Sequence, residues 1–361
     1  MKYYRLDNIL KKKCKYNVII SGRSDGKTFA CLEYIIKKYF DSNETEQGAI
    51  VRRWQDDFTG KRGQQMFSAL VKEGIVSKFS KGRWNNIKYY SSKWYFCRYN
   101  SERSEIEEVS ERPFCYGFAI TAQEHDKSTS YPDITTVLFD EFITRGGYIQ
   151  DEFVLFCNVL STIIRQRDNV TIFMCGNTIN KYCPYFKDMG LNHVEQMEIG
   201  TIDVYRYGDS DLTVAVEYPN IGRLFKKKSN SYFAFNNPKL QMITGGAWEL
   251  EIYSHLPRKY CPNEVVFNFF VDFNGNILHC EVIESDDVFV FVHPKTTPIR
   301  NPEEDLIYTT VIDNGFPNIR KSFKKPVDDI DRKILRLYNM GKFFYSDNEV
   351  GDILKNFLDV A

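Results

Sequence analysis

The chain has 361 residues and a formal net charge of +0, and 43% of its residues are hydrophobic. A chain of this length is too long to fold around one small hydrophobic core and is long enough for two compact domains. No apolar run approaches the roughly 18 residues that span a bilayer, and the N-terminus lacks the apolar segment of a secretory signal. We therefore expect a soluble cytosolic protein with no membrane partner. The nine cysteines show no C-x-x-C spacing, which indicates buried reduced thiols rather than a zinc site.

In the first half of the chain, short apolar runs alternate with segments whose apolar residues recur at helical spacing. Strands alternating with helices predict an α/β fold, a mainly parallel sheet with helices on both faces. In chain order the predicted elements are a strand at 17–20, a helix at 28–40, a strand at 49–51, a helix at 64–72, aromatic strands between 76 and 99 with Ser91-Ser92 as a hairpin turn, strands at 114–120 and 134–139, a helix at 153–164 and a strand at 170–175.

The pattern changes after about residue 205. Residues 206–247 are polar, with glycines and a basic run, and are predicted to form a linker. Beyond them, a hairpin is predicted around the turn sequence D-F-N-G-N, and Ser346 with Glu349 is predicted to form a capping box. The remaining predicted elements are strands at 265–271, 277–282 and 288–292 and helices at 328–340 and 347–358. We expect a first domain at 1–205 and a smaller α+β domain at 248–361.

Residues 21–28 read S-G-R-S-D-G-K-T, between a predicted strand and a predicted helix. That context is typical of a phosphate-binding loop, whose backbone N–H groups and helix N-terminus attract phosphate. Lys27 is expected to reach the β- and γ-phosphates and Thr28 to coordinate Mg²⁺. The alternative is a chance G-K-T sequence, since Ser21 stands where the motif has glycine. The predicted ATP-binding residues are Ser21, Gly22, Arg23, Ser24, Asp25, Gly26, Lys27 and Thr28.

A second motif, T-T-V-L-F-D-E at 135–141, is an apolar strand that ends in two carboxylates. Buried carboxylates are costly unless a cation or catalysis uses them. Asp140 is expected to hold Mg²⁺ and Glu141 to orient the attacking water. The alternative is a solvated acidic turn. The sequence lacks the D-x-x-G and N-K-x-D motifs of a GTPase, and a small-molecule kinase needs no water-activating glutamate, so ATP hydrolysis fits best.

Three further polar residues are candidates for the same site, each with a structural alternative. Arg165 could stabilise charge on the γ-phosphate, or it could cap a helix C-terminus together with Arg167. Asn177 follows an apolar strand and could contact the γ-phosphate, or it could be a turn residue. Arg23 could pair with Glu141 or with phosphates, or it could face solvent.

Taken together, these motifs resemble the DNA-packaging ATPases (encapsidation proteins) of phi29-like podophages, a terminase-related branch of P-loop motors with an additional catalytic glutamate. The resemblance runs from about residue 17 to 186. It rests on I-S-G-R-S-D-G-K-T at 20–28, V-R-R-W at 51–54, D-K-S-T-S-Y-P-D-I-T-T-V-L-F-D-E-F-I at 126–143, I-I-R-Q-R at 163–167, C-G-N at 175–177 and N-K-Y-C-P-Y-F at 180–186.

The resemblance implies a role for several single residues. It makes Arg165 an arginine finger acting in trans, Asn177 a sensor of the γ-phosphate, and Arg23 a loop arginine that senses the catalytic glutamate. It places Arg53 and Lys127 near a subunit contact or the DNA channel. Gln55 stands where the family has a lysine, so a second trans-acting cation is expected to be absent.

The resemblance also implies an assembly and a setting. The expected assembly is a homomeric ring, a pentamer, that binds ATP and Mg²⁺ and translocates double-stranded DNA. Its expected location is the portal vertex of a procapsid in the host cytoplasm, where a structural RNA is a possible further partner. The smaller domain is expected to be a degenerate RNase H-like domain that binds nucleic acid or the portal and has no nuclease activity, because no cluster of carboxylates accompanies Asp272. Alternatives are a P-loop helicase, a DNA-transfer ATPase and a non-hydrolysing nucleotide-binding scaffold.

Overall fold

A computed structural model describes residues 3–122, 129–144, 148–179, 183–221, 252–256, 258–311 and 316–361. The chain divides into two compact units, Met1–Trp248 and Glu249–Ala361. None of the described helices has the length and hydrophobicity that a membrane-spanning helix needs. All nine cysteines are free and most of them are buried, as the sequence predicted.

The first unit contains one large sheet and several helices. Its helices are α1 (Asp7–Leu10), α2 (Lys27–Asp41), α3 (Gly60–Gln65), α4 (Ser68–Lys72), α5 (Ile75–Phe79), α6 (Glu152–Ile164) and α7 (Pro184–Asp188). Its strands are β1 (Tyr16–Ser21), β2 (Gln47–Arg52), β3 (Asn86–Tyr90), β4 (Lys93–Asn100), β5 (Glu105–Val109), β6 (Cys115–Ala119), β7 (Ile134–Asp140), β8 (Thr171–Asn177), β9 (Thr201–Arg206) and β10 (Thr213–Tyr218).

The strands of this sheet lie in the order β3-β4-β6-β2-β7-β8-β1-β10-β9, and β5 pairs with β4. The six strands from β6 to β10 in that order run parallel to their neighbours. Antiparallel strands flank them, β4 on one side and β9 on the other. Strands buried on both faces are expected to be almost entirely apolar, and β7 is buried along its whole length. The predicted mainly parallel sheet is confirmed.

Helices cover both faces of the sheet. Because successive side chains of a strand point to opposite sides, each strand contributes residues to both layers. On β1, Val18 and Ile20 pack in a cluster with α6 residues such as Phe156. Ile19 between them packs on the other side with α2 residues such as Ile35. Each face therefore has its own hydrophobic core, as the α/β prediction requires.

The structure corrects three expectations in this unit. The predicted linker does not hold for Thr213–Tyr218, because this segment forms β10 and pairs in parallel with β1. Its run T-V-A-V-E-Y is apolar enough to be buried inside the sheet. The predicted helix at 64–72 is interrupted at Phe67, whose side chain turns into the core. Val76 belongs to helix α5 rather than to a strand.

The second unit is built on a mixed six-stranded sheet in the order β15-β14-β11-β12-β13-β16. Its strands are β11 (Val265–Phe273), β12 (Asn276–Glu284), β13 (Val288–Pro294), β14 (Leu306–Thr309), β15 (Ile319–Arg320) and β16 (Phe343–Tyr345). Its helices are α8 (Asp329–Asn339) and α9 (Asn348–Val360). Strands β11 to β13 form an antiparallel meander, and β14 joins β11 in parallel. The α+β class of this unit is confirmed.

Two local predictions in this unit have different outcomes. Asn274 and Gly275 both have positive φ, 51° and 81°, as the two central residues of a tight hairpin turn require. The predicted capping box at Ser346 is wrong. Asp347 is the N-cap, and its side chain accepts a hydrogen bond from Val350 N. Asp347 has the extended backbone that an N-cap residue adopts before the first helical turn.

Candidate active site

Four neighbouring parallel strands end at one edge of the first unit's sheet, in the order β2-β7-β8-β1. Open α/β sheets bind ligands outside the carboxyl ends of their strands. A cavity of about 710 Å³ lies at this edge. Its lining includes the phosphate-loop residues from Arg23 to Thr28 and the polar side chains at the other strand ends, namely Arg52, Asp140, Glu141 and Asn177.

The loop between β1 and α2 turns sharply through two residues with left-handed backbone. Ser24 has φ 62° and Gly26 has φ 89°. Gly26 is the N-cap of α2, and a Cβ there would lie 3.0 Å from Tyr3 Cβ. Ser21 is the last residue of β1 and is not among the positive-φ residues. Its extended backbone suits any residue, so serine in place of the motif's first glycine does not prevent the loop from closing.

Lys27 is buried at the start of α2 and lies against the loop that precedes it. Its ammonium group donates to Gly22 O at 2.9 Å and to Asn177 Oδ1 at 2.9 Å. Burial lowers the pKa of Lys27, and the nearby Asp25 carboxylate opposes that shift. The structure therefore brings Asn177, at the end of β8, directly to the predicted phosphate-binding lysine.

Thr28 and Asp140 meet across the cavity, as the predicted metal site requires. Thr28 Oγ1 donates to Asp140 Oδ1 at 2.8 Å. The Asp140 side chain is only 4% exposed. Burial raises the pKa of its carboxyl group, while Arg52 and the hydrogen bond from Thr28 oppose the rise. A hydroxyl and a carboxylate oxygen side by side are ligands of the kind that Mg²⁺ binds.

Arg52, which sequence reasoning missed, joins the two carboxylates. Its guanidinium donates to Asp140 Oδ2 at 2.6 Å and to Glu141 Oε2 at 2.7 Å. Glu141 has φ 60°, a conformation that costs a non-glycine residue on the order of 1 kcal/mol and is concentrated at functional sites. Its side chain is 63% exposed toward the cavity. Arg52, and not Arg23, therefore holds the predicted catalytic glutamate.

Arg53 also lines the cavity, but its side chain is buried, and its predicted role in a DNA or subunit contact stays a prediction. It forms two hydrogen bonds to Glu152 at the start of α6, at 2.7 and 2.8 Å. It also donates to Phe142 O at 3.0 Å. Tyr185 adds a hydrogen bond to the same carboxylate. With its guanidinium buried in this pair, Arg53 braces the turn that follows Glu141.

The sequence alone does not separate the two arginines. Adjacent residues of a strand point to opposite sides, so only one of Arg52 and Arg53 can face the carboxylates at the end of β7. Which one does so depends on the register between β2 and β7, where Val51 pairs with Phe139. That register is a tertiary feature.

Arg165 and Arg167 lie at the opposite edge of the sheet from the cavity. Arg165 is exposed at the end of α6 and donates to Thr129 O at 2.8 Å. Arg167 donates to Ile163 O in the last turn of α6 and to Ile134 O at the start of β7, so Arg167 has the capping role given above as an alternative. The seven residues of β7 span about 20 Å. Arg165 therefore cannot reach the cavity of its own chain.

The two remaining predicted residues have different outcomes. Arg23 is exposed on the loop and lines the cavity. Lys127 lies outside the described residues, so its predicted contact stays a prediction.

The donor set fits a magnesium nucleotide. The loop residues from Arg23 to Lys27 line the cavity, and the Thr28–Asp140 pair lines the same space. Arg52 Nε is buried and has no hydrogen-bond partner among the described residues. Buried donors are normally satisfied, so this atom is suited to an anionic oxygen of a ligand.

Comparison with known proteins identifies relatives of this chain. The family model described as Podovirus DNA encapsidation protein (Gp16) matches residues 109–205. The DNA packaging protein of Bacillus phage B103 is 27% identical over 179 residues, which cover 48% of this chain and 48% of the relative. The DNA packaging protein of Bacillus phage phi29 is 23% identical over 188 residues, covering 51% and 49% respectively. The matched region of the chain thus covers about half the length of each of these relatives.

Two solved structures share the fold of the whole chain. A chain of the bacteriophage phi29 viral genome packaging motor assembly superposes with a TM-score of 0.54 at 16% identity, covering 99% of both chains. A chain of the phi28 DNA packaging motor gives a TM-score of 0.53 at 16% identity, covering 99% of this chain and 97% of that one. The resemblance to phi29-like packaging proteins and the predicted fold class are confirmed.

Proposed function

We propose that this chain is an ATP-hydrolysing motor that moves double-stranded DNA into a phage procapsid. One observation carries the enzymatic part: Lys27, Thr28, Asp140 and Glu141 converge at the carboxyl ends of neighbouring parallel strands around one cavity. The DNA packaging proteins of phages B103 and phi29 support the choice of DNA as the cargo.

Each residue at the cavity has a proposed task in hydrolysis. The loop backbone and Lys27 would bind the phosphates of ATP, and Thr28 with Asp140 would hold Mg²⁺. Bound Mg²⁺ would neutralise negative charge on the β- and γ-phosphates. Glu141 would orient a water molecule and accept its proton. Arg52 keeps the Glu141 carboxylate in the cavity, and Asn177 links Lys27 to the end of β8.

The position of Arg165 supports a ring. Because Arg165 lies at the edge of the sheet opposite its own cavity, it can stabilise charge on a γ-phosphate only in another copy of the chain. Such a contact joins two different surfaces, and repeated contacts of this kind form a ring when the rotation between neighbouring subunits closes. We propose a homomeric ring, with five subunits as the expected number, at the portal of a procapsid. DNA would pass through it by phosphate contacts without base recognition.

The second unit is proposed to bind nucleic acid or the portal without cleaving DNA. Asp272 lies at the end of β11, paired with Ile277 across the hairpin. The one group of possible metal ligands among the described residues contains two histidines and one glutamate rather than several acids. Nucleases of the RNase H-like type need clustered carboxylates for a metal pair.

The decisive experiment measures ATP hydrolysis by the full chain with and without DNA and procapsids, together with DNA protected from nuclease inside procapsids. We expect hydrolysis to be stimulated by DNA and protection to require ATP. Glu141→Gln should bind ATP but neither hydrolyse it nor package DNA. Glu44→Gln, which removes one partner of an exposed ion pair with Arg83, is the matched control and should behave as wild type.

Other outcomes identify the alternatives. Hydrolysis that does not respond to DNA and procapsids would contradict a packaging motor. Separation of strands in a displacement assay would favour a helicase. Full function of Glu141→Gln would indicate a nucleotide-binding scaffold that needs no hydrolysis.

A further inference from the structure

Three potential metal ligands meet on one face of the second unit's sheet. His279 and Glu281 are two residues apart on β12, so they point to the same side of the strand. His293 on β13 is the register partner of His279. Each side chain offers one ligand atom, and these atoms all lie within 4.8 Å of one another. Two of the five histidines of the chain therefore share this small region with a carboxylate.

This face is not the one that packs in the core. The intervening residues Leu278, Cys280 and Val292 are fully buried on the other side of the sheet. His279, Glu281 and His293 are only partly buried. The three side chains are thus shielded enough to be ordered and open enough for an ion to enter from solvent.

Neighbouring groups orient both imidazole rings. His293 Nδ1 lies 3.2 Å from Pro294 O. A carbonyl oxygen only accepts, so with the proton on Nδ1 this contact is a hydrogen bond and the lone pair of Nε2 is available to an ion. That Nε2 is 3.2 Å from Glu281 Oε2. His279 Nε2 lies 2.8 Å from Asn268 Oδ1, and with the proton on Nε2 the lone pair of Nδ1 is available to an ion.

The carboxylate has an outer partner as well. The Tyr260 hydroxyl donates to Glu281 Oε2, and the Tyr260 ring packs edge-on against Phe291. Metal-binding histidines and carboxylates characteristically make such second hydrogen bonds, which fix the tautomer and the orientation of the ligand. Here each of the three side chains has one.

We propose that His279, Glu281 and His293 bind a divalent transition-metal ion, with Zn²⁺ the best match to the ligand set. Two imidazole nitrogens and one carboxylate oxygen are typical zinc ligands, and a set of three leaves a further position open. Bonds of about 2.0–2.2 Å require the three ligand atoms to draw together by rotation of the side chains. The bound ion joins β12 to β13 on the face opposite Leu278, Cys280 and Val292.

The test uses the full chain, treated with a chelator and then titrated with Co²⁺ in the absence of nucleotide. We expect visible absorption that saturates at one Co²⁺ per chain, has the bands of nitrogen and oxygen ligands, and disappears when Zn²⁺ is added. His279→Gln and His293→Gln should each weaken binding at least about 100-fold, since losing even an outer partner costs about 10–100-fold. Glu281→Gln, a variant of the same shape, should also weaken binding.

His193→Gln is the matched control. His193 Nδ1 also lies 2.6 Å from a carboxylate, that of Asp203, but it has no third ligand in the described part of the chain. Circular dichroism checks that each variant is folded. The proposal is overturned if the wild-type chain takes up no Co²⁺ saturably, if the folded variants bind like wild type, or if a sulfur-to-cobalt charge-transfer band places the ion on cysteines.

Discussion

Arg52 Nη1 lies 2.7 Å from Glu141 Oε2, so the end of β2 holds the carboxylate that follows β7. The same guanidinium reaches Asp140 with its other terminal nitrogen. One arginine therefore sets the position of both acids in the proposed site, although it belongs to neither motif.

Replacing Arg52 tests this arrangement. In Arg52→Ala, Glu141 loses the partner that orients its carboxylate. The buried Asp140 carboxylate loses the positive charge of its ion-pair partner. We expect the kcat for ATP hydrolysis to fall about 10²-fold, the size typical of losing one positioned polar group. Arg52→Lys should recover little, because lysine cannot make the two-pronged contact. Arg83→Ala, which breaks an exposed pair with Glu44, should leave kcat unchanged, and an unchanged kcat in Arg52→Ala would refute the assignment.

The buried pair of Arg53 and Glu152 predicts a loss of stability. Arg53→Ala leaves the Glu152 carboxylate buried without its cation, and such changes cost about 3–5 kcal/mol. Thermal or urea denaturation of the full chain measures the effect. The double change to Arg53→Met and Glu152→Leu should restore much of it, because the two charges are then removed together. Arg98→Ala, from an exposed pair with Glu108, should cost less than about 1 kcal/mol. Equal losses in the buried and exposed pairs would show that Arg53 is not the brace described above.

Mixing two inactive variants tests Arg165 as a residue that acts in trans. Arg165→Ala alone should lower kcat at least about 10³-fold, as loss of an arginine finger does. Lys27→Ala alone should abolish nucleotide use. In mixed rings, an Arg165→Ala subunit keeps an intact nucleotide site that the Arg165 of a Lys27→Ala neighbour completes, so hydrolysis should reappear.

The control for this mixing experiment is Lys27→Ala with Glu141→Gln. Both of these changes damage the subunit's own site, so their mixture should stay inactive. Recovery in the control, or a dead mixture in the test, would contradict an action of Arg165 between subunits.

Glu217 on β10 predicts a pH dependence of stability. Its buried carboxylate accepts a hydrogen bond from Tyr4 at 2.5 Å. Burial raises the pKa of Glu217 above its usual 4.5, and the hydrogen bond from Tyr4 opposes the rise. A carboxyl group with a raised pKa in the folded state binds its proton more tightly there than in the unfolded state. Its contribution to stability is therefore most favourable below pH 4.5 and falls as pH rises toward the folded-state pKa.

Glu217→Gln should therefore stabilise the chain at neutral pH, because it removes a carboxylate whose charged form burial disfavours. The amide oxygen can still accept from Tyr4. The difference from wild type should vanish near pH 4, where both side chains are neutral, and melting curves at several pH values measure it. Glu198→Gln, at an exposed position, should show no such trend. A variant less stable than wild type at pH 7 would mean that the charged form of Glu217 is favoured.

Local patterns were enough to predict the elements that carry the chemistry. The apolar run before S-G-R-S-D-G-K-T forms β1, the run ending in Asp140 forms β7, and the hairpin turn at Asn274-Gly275 has the expected backbone. These features depend on the spacing of apolar residues and on the conformations that glycine and asparagine tolerate, which a sequence contains directly.

Features that depend on distant partners could not be predicted in the same way. Thr213–Tyr218 reads as part of a polar linker, yet it is a buried strand because β1 offers it an open edge. Arg52 and Arg53 are equivalent in the sequence, and only the register of β2 against β7 sends one to the carboxylates and buries the other against Glu152. The sequence by itself determined which chemical groups the cavity would contain. Only the tertiary structure decided which arginine would hold them, because strand order and register bring together residues that are far apart along the chain.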